Sequence, residues 1–149
     1  MGKEIDMQLM RYINLFERIS RVSTLNCFVY NNTIYFAVPK SLVRQAIGRG
    51  GENIKMLSET LRRKIRVVSL IKSEGANLEE SAKAKVIGEF VKEVVAPVEL
   101  SSFEFQDGVF SVSGTRESKA ILIGRNRVKE QELSEVLQRT FGIKEFKVA

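Results

Sequence analysis

A chain of 149 residues with 44% apolar and 28% charged positions can bury one medium core or two small ones, and is too apolar for disorder. It contains no histidine, which removes Ser-His-Asp and Cys-His catalysis and the usual zinc sites, so composition argues against an enzyme. The net charge of +6 is uneven: residues 1–75 hold 13 Lys/Arg against 6 Asp/Glu, and residues 76–149 hold 11 against 12, which suggests a polyanionic partner met mainly by the first half.

Steps of three and four residues between Ile5, Leu9, Tyr12, Ile13, Phe16 and Ile19 predict an amphipathic helix over Glu4 to Ser20. Two runs rich in β-formers follow, Leu25 to Tyr30 and Thr33 to Val38, separated by Asn31-Asn32. Asparagine tolerates positive φ, so a two-residue hairpin turn is expected there. Cys27, in the first run, reads as a small core residue, and as the single cysteine it excludes an internal disulfide. Pro39 ends the second strand. The pattern returns to helix from Ser41 to Ile47, and Gly48 stops it. The turn Gly48-Arg49-Gly50-Gly51 then leads into a helix over about Glu52 to Arg63, with Ile54, Leu57 and Leu61 on one face. Lys64 to Leu70 alternates well enough for a strand.

Lys72 to Asn77 (KSEGAN) is the one stretch with linker composition. Asn77 can cap the next helix, with Glu80 reaching back from three residues on. That helix carries Ile87, Phe90, Val91 and Val94 and stops before Pro97. Val98 to Gln106 and Val109 to Ser113 are expected as strands around Asp107-Gly108, a strong hairpin signal. A short helix over about Glu117 to Ile123 runs into Gly124. A further helix carries Leu133, Val136 and Leu137, and Ile143 to Val148 forms the last strand. Both halves therefore share the order α-β-β-α-α-β.

They also match residue by residue. A shift of 76 positions lays Ile47-Gly48-Arg49 on Ile123-Gly124-Arg125, Leu57-Ser58-Glu59 on Leu133-Ser134-Glu135, Leu61 on Leu137 and Arg63 on Arg139. Several identities in one ungapped register indicate a tandem repeat. Within it, Ala46-Ile47-Gly48-Arg49-Gly50-Gly51-Glu52-Asn53-Ile54-Lys55 resembles the KH-domain signature, an aliphatic residue, Gly-x-x-Gly, and another aliphatic. The element order resembles the prokaryotic, type II form of that domain. Two such domains in a chain of this length are similar to the archaeal NusA-like transcription termination and antitermination factors, over almost the whole chain.

The resemblance implies an α+β fold of two tandem type II KH domains, each with helices packed on one face of a three-stranded sheet. Residues 1–71 would form the first domain, 72–77 the linker and 78–149 the second. It implies single-stranded RNA as the partner, with RNA polymerase as a second one, and no cofactor. Gly48, Arg49, Gly50 and Gly51 would hold the sugar-phosphate backbone, since a loop without Cβ atoms admits close approach and the following helix favours a phosphate at its N-terminus. Lys40, Arg44, Lys55 and Arg66 would track the strand electrostatically. Ile47 and Ile54 would form an apolar floor, with Val68 a weaker candidate. The second loop, Gly124-Arg125-Asn126-Arg127, departs from the pattern by an arginine at the fourth position. Either Arg127 contacts a phosphate itself, or this half has drifted to a structural role.

Other readings are weaker on residues. No Gly-Lys-Ser/Thr follows the glycines, so a phosphate-binding loop of nucleotide hydrolases is poorly supported. A metal-dependent nuclease would need Glu130, Glu132 and Glu135, of which Glu130 and Glu132 fall on different helix faces. A protein scaffold with purely structural glycines predicts no salt-sensitive RNA affinity, and a KH factor of ribosome assembly or RNA decay carries the same motif. Arg62-Arg63-Lys64 reads as a solvated helix end. The longest apolar run, Ile34 to Val38, is far short of a membrane span. Met1 to Asp6 carries acids where a signal peptide is apolar, and Asp6 stands where myristoylation needs Ser or Thr. A cytoplasmic monomer is the expectation.

Overall fold

The computed structural model describes residues 7–71 and 80–149. The proposed linker, the Asn77 cap and the start of the first helix, including Ile5, lie outside these. The chain divides into two compact units, Met1–Lys72 and Ser73–Ala149.

In the first unit α1 (Met7–Ser20) precedes β1 (Cys27–Tyr30) and β2 (Thr33–Val38). A single 3₁₀ turn at Lys40–Leu42 enters α2 (Val43–Ile47), and α3 (Glu52–Leu61) and β3 (Lys64–Ser69) follow. The sheet order is β1-β2-β3, with β1 antiparallel and β3 parallel to the central β2. Asn31 and Asn32 adopt φ of 52° and 59°, the positive values a two-residue turn between right-twisted strands demands. One face of the sheet, Ile34, Phe36, Val38 and Ile65, packs under Leu9, Tyr12, Ile13 and Phe16 of α1, Ala46 of α2 and Leu57 of α3. Phe16 and Phe36 stack at 4.2 Å in the middle of this core, and Cys27 is buried in it.

Two boundaries and one side chain differ from the sequence pattern, each for a physical reason. Leu25 and Asn26 are not in β1, because the Thr24 hydroxyl donates to Ala37 O and accepts from Asn26 N–H, folding that stretch into a turn. The helix expected to reach Arg63 stops at Leu61, where Arg62 turns left-handed (φ 54°). Arg63 is not merely solvated, since its Nη2 donates to Asn32 Oδ1 across the hairpin turn at 3.1 Å.

The second unit runs α4 (Glu80–Val95), β4 (Ser102–Gln106), β5 (Val109–Ser113), α5 (Arg116–Ile123), α6 (Val128–Phe141) and β6 (Glu145–Val148). Its sheet order is β4-β5-β6, again antiparallel then parallel. Ile87, Phe90, Val91 and Val94 are all buried on α4. Strand β4 begins at Ser102 rather than Val98, because Val98 N–H closes a turn onto Val95 O and pairing with β5 begins where Ser101 N–H meets Ser113 O. The two units are thus each α+β, three helices with a three-stranded sheet.

Candidate nucleic-acid interface

The loop between α2 and α3 is built from three positive-φ glycines: Gly48 (84°), Gly50 (63°) and Gly51 (77°). Gly48 ends α2 with its N–H on Arg44 O at 2.9 Å. A Cβ at Gly48 would lie 2.8 Å from the Asn53 side chain, so this glycine is required by packing as well as by φ. Gly50 and Gly51 would meet nothing within 4 Å, which leaves their Cα faces open to an approaching chain. Arg49, between Gly48 and Gly50, is exposed. The turn uses two of its own amides, Gly51 N–H to Gly48 O at 3.1 Å and Glu52 N–H to Arg49 O. Those two amides are therefore not free for a phosphate; the loop's contribution is its open surface and the Arg49 guanidinium.

Below the loop lies a groove of about 740 Å³, lined by Thr33, Ile47, Gly51, Ile54, Lys55, Ser58, Glu59, Lys64, Ile65 and Arg66. The end of α2, the loop, α3 and the edge strand β3 thus bring together Ile47, Gly51, Ile54, Lys55 and Arg66 of the residues singled out in the sequence. Isoleucines form the floor, and three cations against one carboxylate set the charge of the walls, the pattern that suits a polyanion with flat apolar bases. Lys40 and Arg44 are exposed but do not line the groove; they sit on the 3₁₀ turn and on α2, on the approach to the loop. Val68 is buried and does not line the groove.

Two residues that composition and periodicity do not mark hold this site in shape. Asn53 Nδ2 donates to the last carbonyls of α2, Gln45 O at 3.1 Å and Ala46 O at 3.3 Å, and so ties α3 to the end of α2 across the loop. Tyr35 Oη accepts from Arg66 Nη1 at 3.3 Å while the guanidinium lies 5.4 Å over the ring. Burial raises the Tyr35 phenol above its usual pKa of 10.0, and the Arg66 charge and hydrogen bond oppose that rise.

The second loop has the same backbone with different residues. Gly124 (φ 73°), Asn126 (57°) and Arg127 (60°) repeat the conformations of Gly48, Gly50 and Gly51. Two of these are not glycine, and each carries the strain of a side chain in the left-handed region. A Cβ at Gly124 would lie 2.9 Å from the Lys129 stem, so Lys129 fills the place Asn53 takes in the first unit. Arg125 and Asn126 are exposed, and Arg127 is ion-paired to Glu130 at 2.9 Å. Glu130 is therefore engaged with protein, and among the described residues no group of three His, Cys, Asp or Glu could hold a metal ion.

A family model for the KH domain matches residues 33–128. Among curated proteins, the chain is 25% identical over 134 residues to one from Methanocaldococcus jannaschii named "Probable transcription termination protein NusA", covering 85% of this chain and 71% of that one. Among solved structures, the crystal structure of APE1850 superposes with a TM-score of 0.63 at 26% identity, over 97% of this chain and all of that one. Proteins of the KH type are non-catalytic binders of single-stranded RNA. With the matched segment spanning most of the chain and containing the Gly-x-x-Gly loop, this chain belongs to the KH-domain family.

Proposed function

We propose that the chain is a single-stranded RNA-binding protein made of two tandem type II KH domains, one per compact unit, and that RNA is clamped by the loop and groove of the first. The observation that carries this is the open loop Gly48-Arg49-Gly50-Gly51 set over a groove with an isoleucine floor and cationic walls. The repeated order and the two sheets of identical topology support the tandem assignment. Arg49 meets the backbone above the loop, Lys55 and Arg66 meet it below, and Lys40 and Arg44 raise the local concentration of RNA without touching it in the groove. By its likeness to the relative named for transcription termination, the protein acts as a NusA-like termination or antitermination factor on nascent RNA, with RNA polymerase as its protein partner, in the cytoplasm.

Fluorescence anisotropy of a labelled mixed-sequence RNA across a salt series tests the clamp. With about four to six phosphates engaged, the log–log slope is expected near −3 to −4. Arg49→Asp with Gly50→Asp should lower affinity about hundredfold, while circular dichroism stays native, because Asn126 already shows that a side chain can occupy the Gly50 conformation. Equal binding by both proteins, or by neither, sinks the clamp. Co-precipitation of RNA polymerase with the full chain tests the second partner.

A further inference from the structure

The register that lays the first loop on the second also lays Ile54, on the floor of the first groove, on Glu130. The Glu130 side chain is 13% exposed, and both carboxylate oxygens are in use: Oε1 accepts from Arg127 Nη1 at 2.9 Å, and Oε2 accepts from Val148 N–H at 3.0 Å. Val148 corresponds to Val67, since Val67 stands opposite Phe36 and Val148 opposite Val112. The two amides have the same outlook. Leu70 N–H donates to Val38 O and Ala149 N–H to Val112 O, and successive amides along a strand point to opposite sides. Val67 N–H and Val148 N–H therefore turn away from the central strand, toward the open edges of β3 and β6. Ile54 offers Val67 no acceptor; Glu130 offers one to Val148.

We infer that Glu130 is a built-in substitute for a bound nucleotide, which withholds the second loop from RNA. Its carboxylate takes the edge-strand donor that a base carbonyl or ring nitrogen would accept from, and holds the Arg127 guanidinium that would otherwise meet a phosphate. Its charge also repels a backbone phosphate from the same place. This rests on the RNA reading of the first groove, and it resolves the choice over Arg127 in favour of an internal partner.

Amide NMR of the ¹⁵N-labelled full chain, titrated with mixed-sequence single-stranded RNA, tests it without any substitution. The amides of Gly50, Gly51 and Val67 should shift on titration while those of Asn126, Arg127 and Val148 stay in place. Shifts of Val148 that follow the same titration curve as Val67 overturn the proposal. If neither set moves, the RNA reading itself falls, and the proposal with it. Glu130→Ile, added to Arg49→Asp with Gly50→Asp, should then recover affinity about tenfold over that background. An unchanged affinity in a folded variant overturns the proposal.

Discussion

The two Gly-x-x-Gly-like loops share a backbone and differ in what they leave available. Gly48, Gly50 and Gly51 have nearly the same φ as Gly124, Asn126 and Arg127, so the fold imposes the turn whatever side chains stand in it. In the first unit two glycines leave the surface bare, an isoleucine lies beneath and cations line the walls. In the second, an arginine and a glutamate from the same turn satisfy each other, and the glutamate also caps the edge strand. A loop of the right shape is thus not by itself a site. The residues three to six positions past its first glycine decide whether a ligand or the chain itself occupies it.

Exchanging residues between the two is the sharpest way to break that contrast. Ile54→Glu, which installs the second unit's residue in the first, should weaken RNA binding about hundredfold, or about 2.7 kcal/mol, by anisotropy. It should cost only about 1–2 kcal/mol of stability, since Ile54 is half-buried. Undiminished affinity would show that the groove floor is not where RNA lies. Gly124→Ala should destabilise by about 2 kcal/mol in urea unfolding, because it adds strain at φ 73° to a contact with Lys129 at 2.9 Å. Gly50→Ala, with open space around it, should lose only about 1 kcal/mol; equal losses would remove the distinction between the packed and the open glycine. Asn53→Ala should cost about 1 kcal/mol by releasing two α2 carbonyls, and raise the RNA Kd about threefold through a looser loop.

The smallest effect is at alkaline pH. The Tyr35 phenol is raised in the folded chain, so the stability it contributes is complete below its ordinary pKa of 10.0 and is lost as pH rises through the folded value. The wild type should therefore lose stability above pH 10 relative to Tyr35→Phe. Parallel stability curves for the two proteins would show that the phenol is not held by burial.

The helices, both hairpins and the repeat were legible in the sequence, because each is a local or periodic signal. Leu9, Tyr12, Ile13 and Phe16 fall on one face by spacing alone, and Asn31-Asn32 and Asp107-Gly108 announce their turns by tolerance of positive φ. The Gly-x-x-Gly motif marked the first loop, and the repeat marked the second. The apolar floor could be read at Ile47 and Ile54 but not separated from Val68, since alternation in a strand buried on both faces does not say which face meets the groove. Lys40 and Arg44 could not be told from Lys55 and Arg66 by charge, as only the path of the chain brings cations of α3 and β3 to the groove walls while α2 reaches the groove at Ile47 alone.

What tertiary structure alone decided are the partners that meet through space. Tyr35 and Arg66 are 31 residues apart and Glu130 and Val148 are 18 apart, and no periodicity links either pair. Parallel pairing of the last strand with the central one carries Arg66 over Tyr35 in one unit and Val148 to Glu130 in the other. The glycine motif and its repeat locate both loops from the sequence alone, since each is a local signal. Strand pairing decided that the amide Glu130 meets is that of Val148, because a hydrogen bond depends on where a backbone amide ends up and not on the residue that carries it.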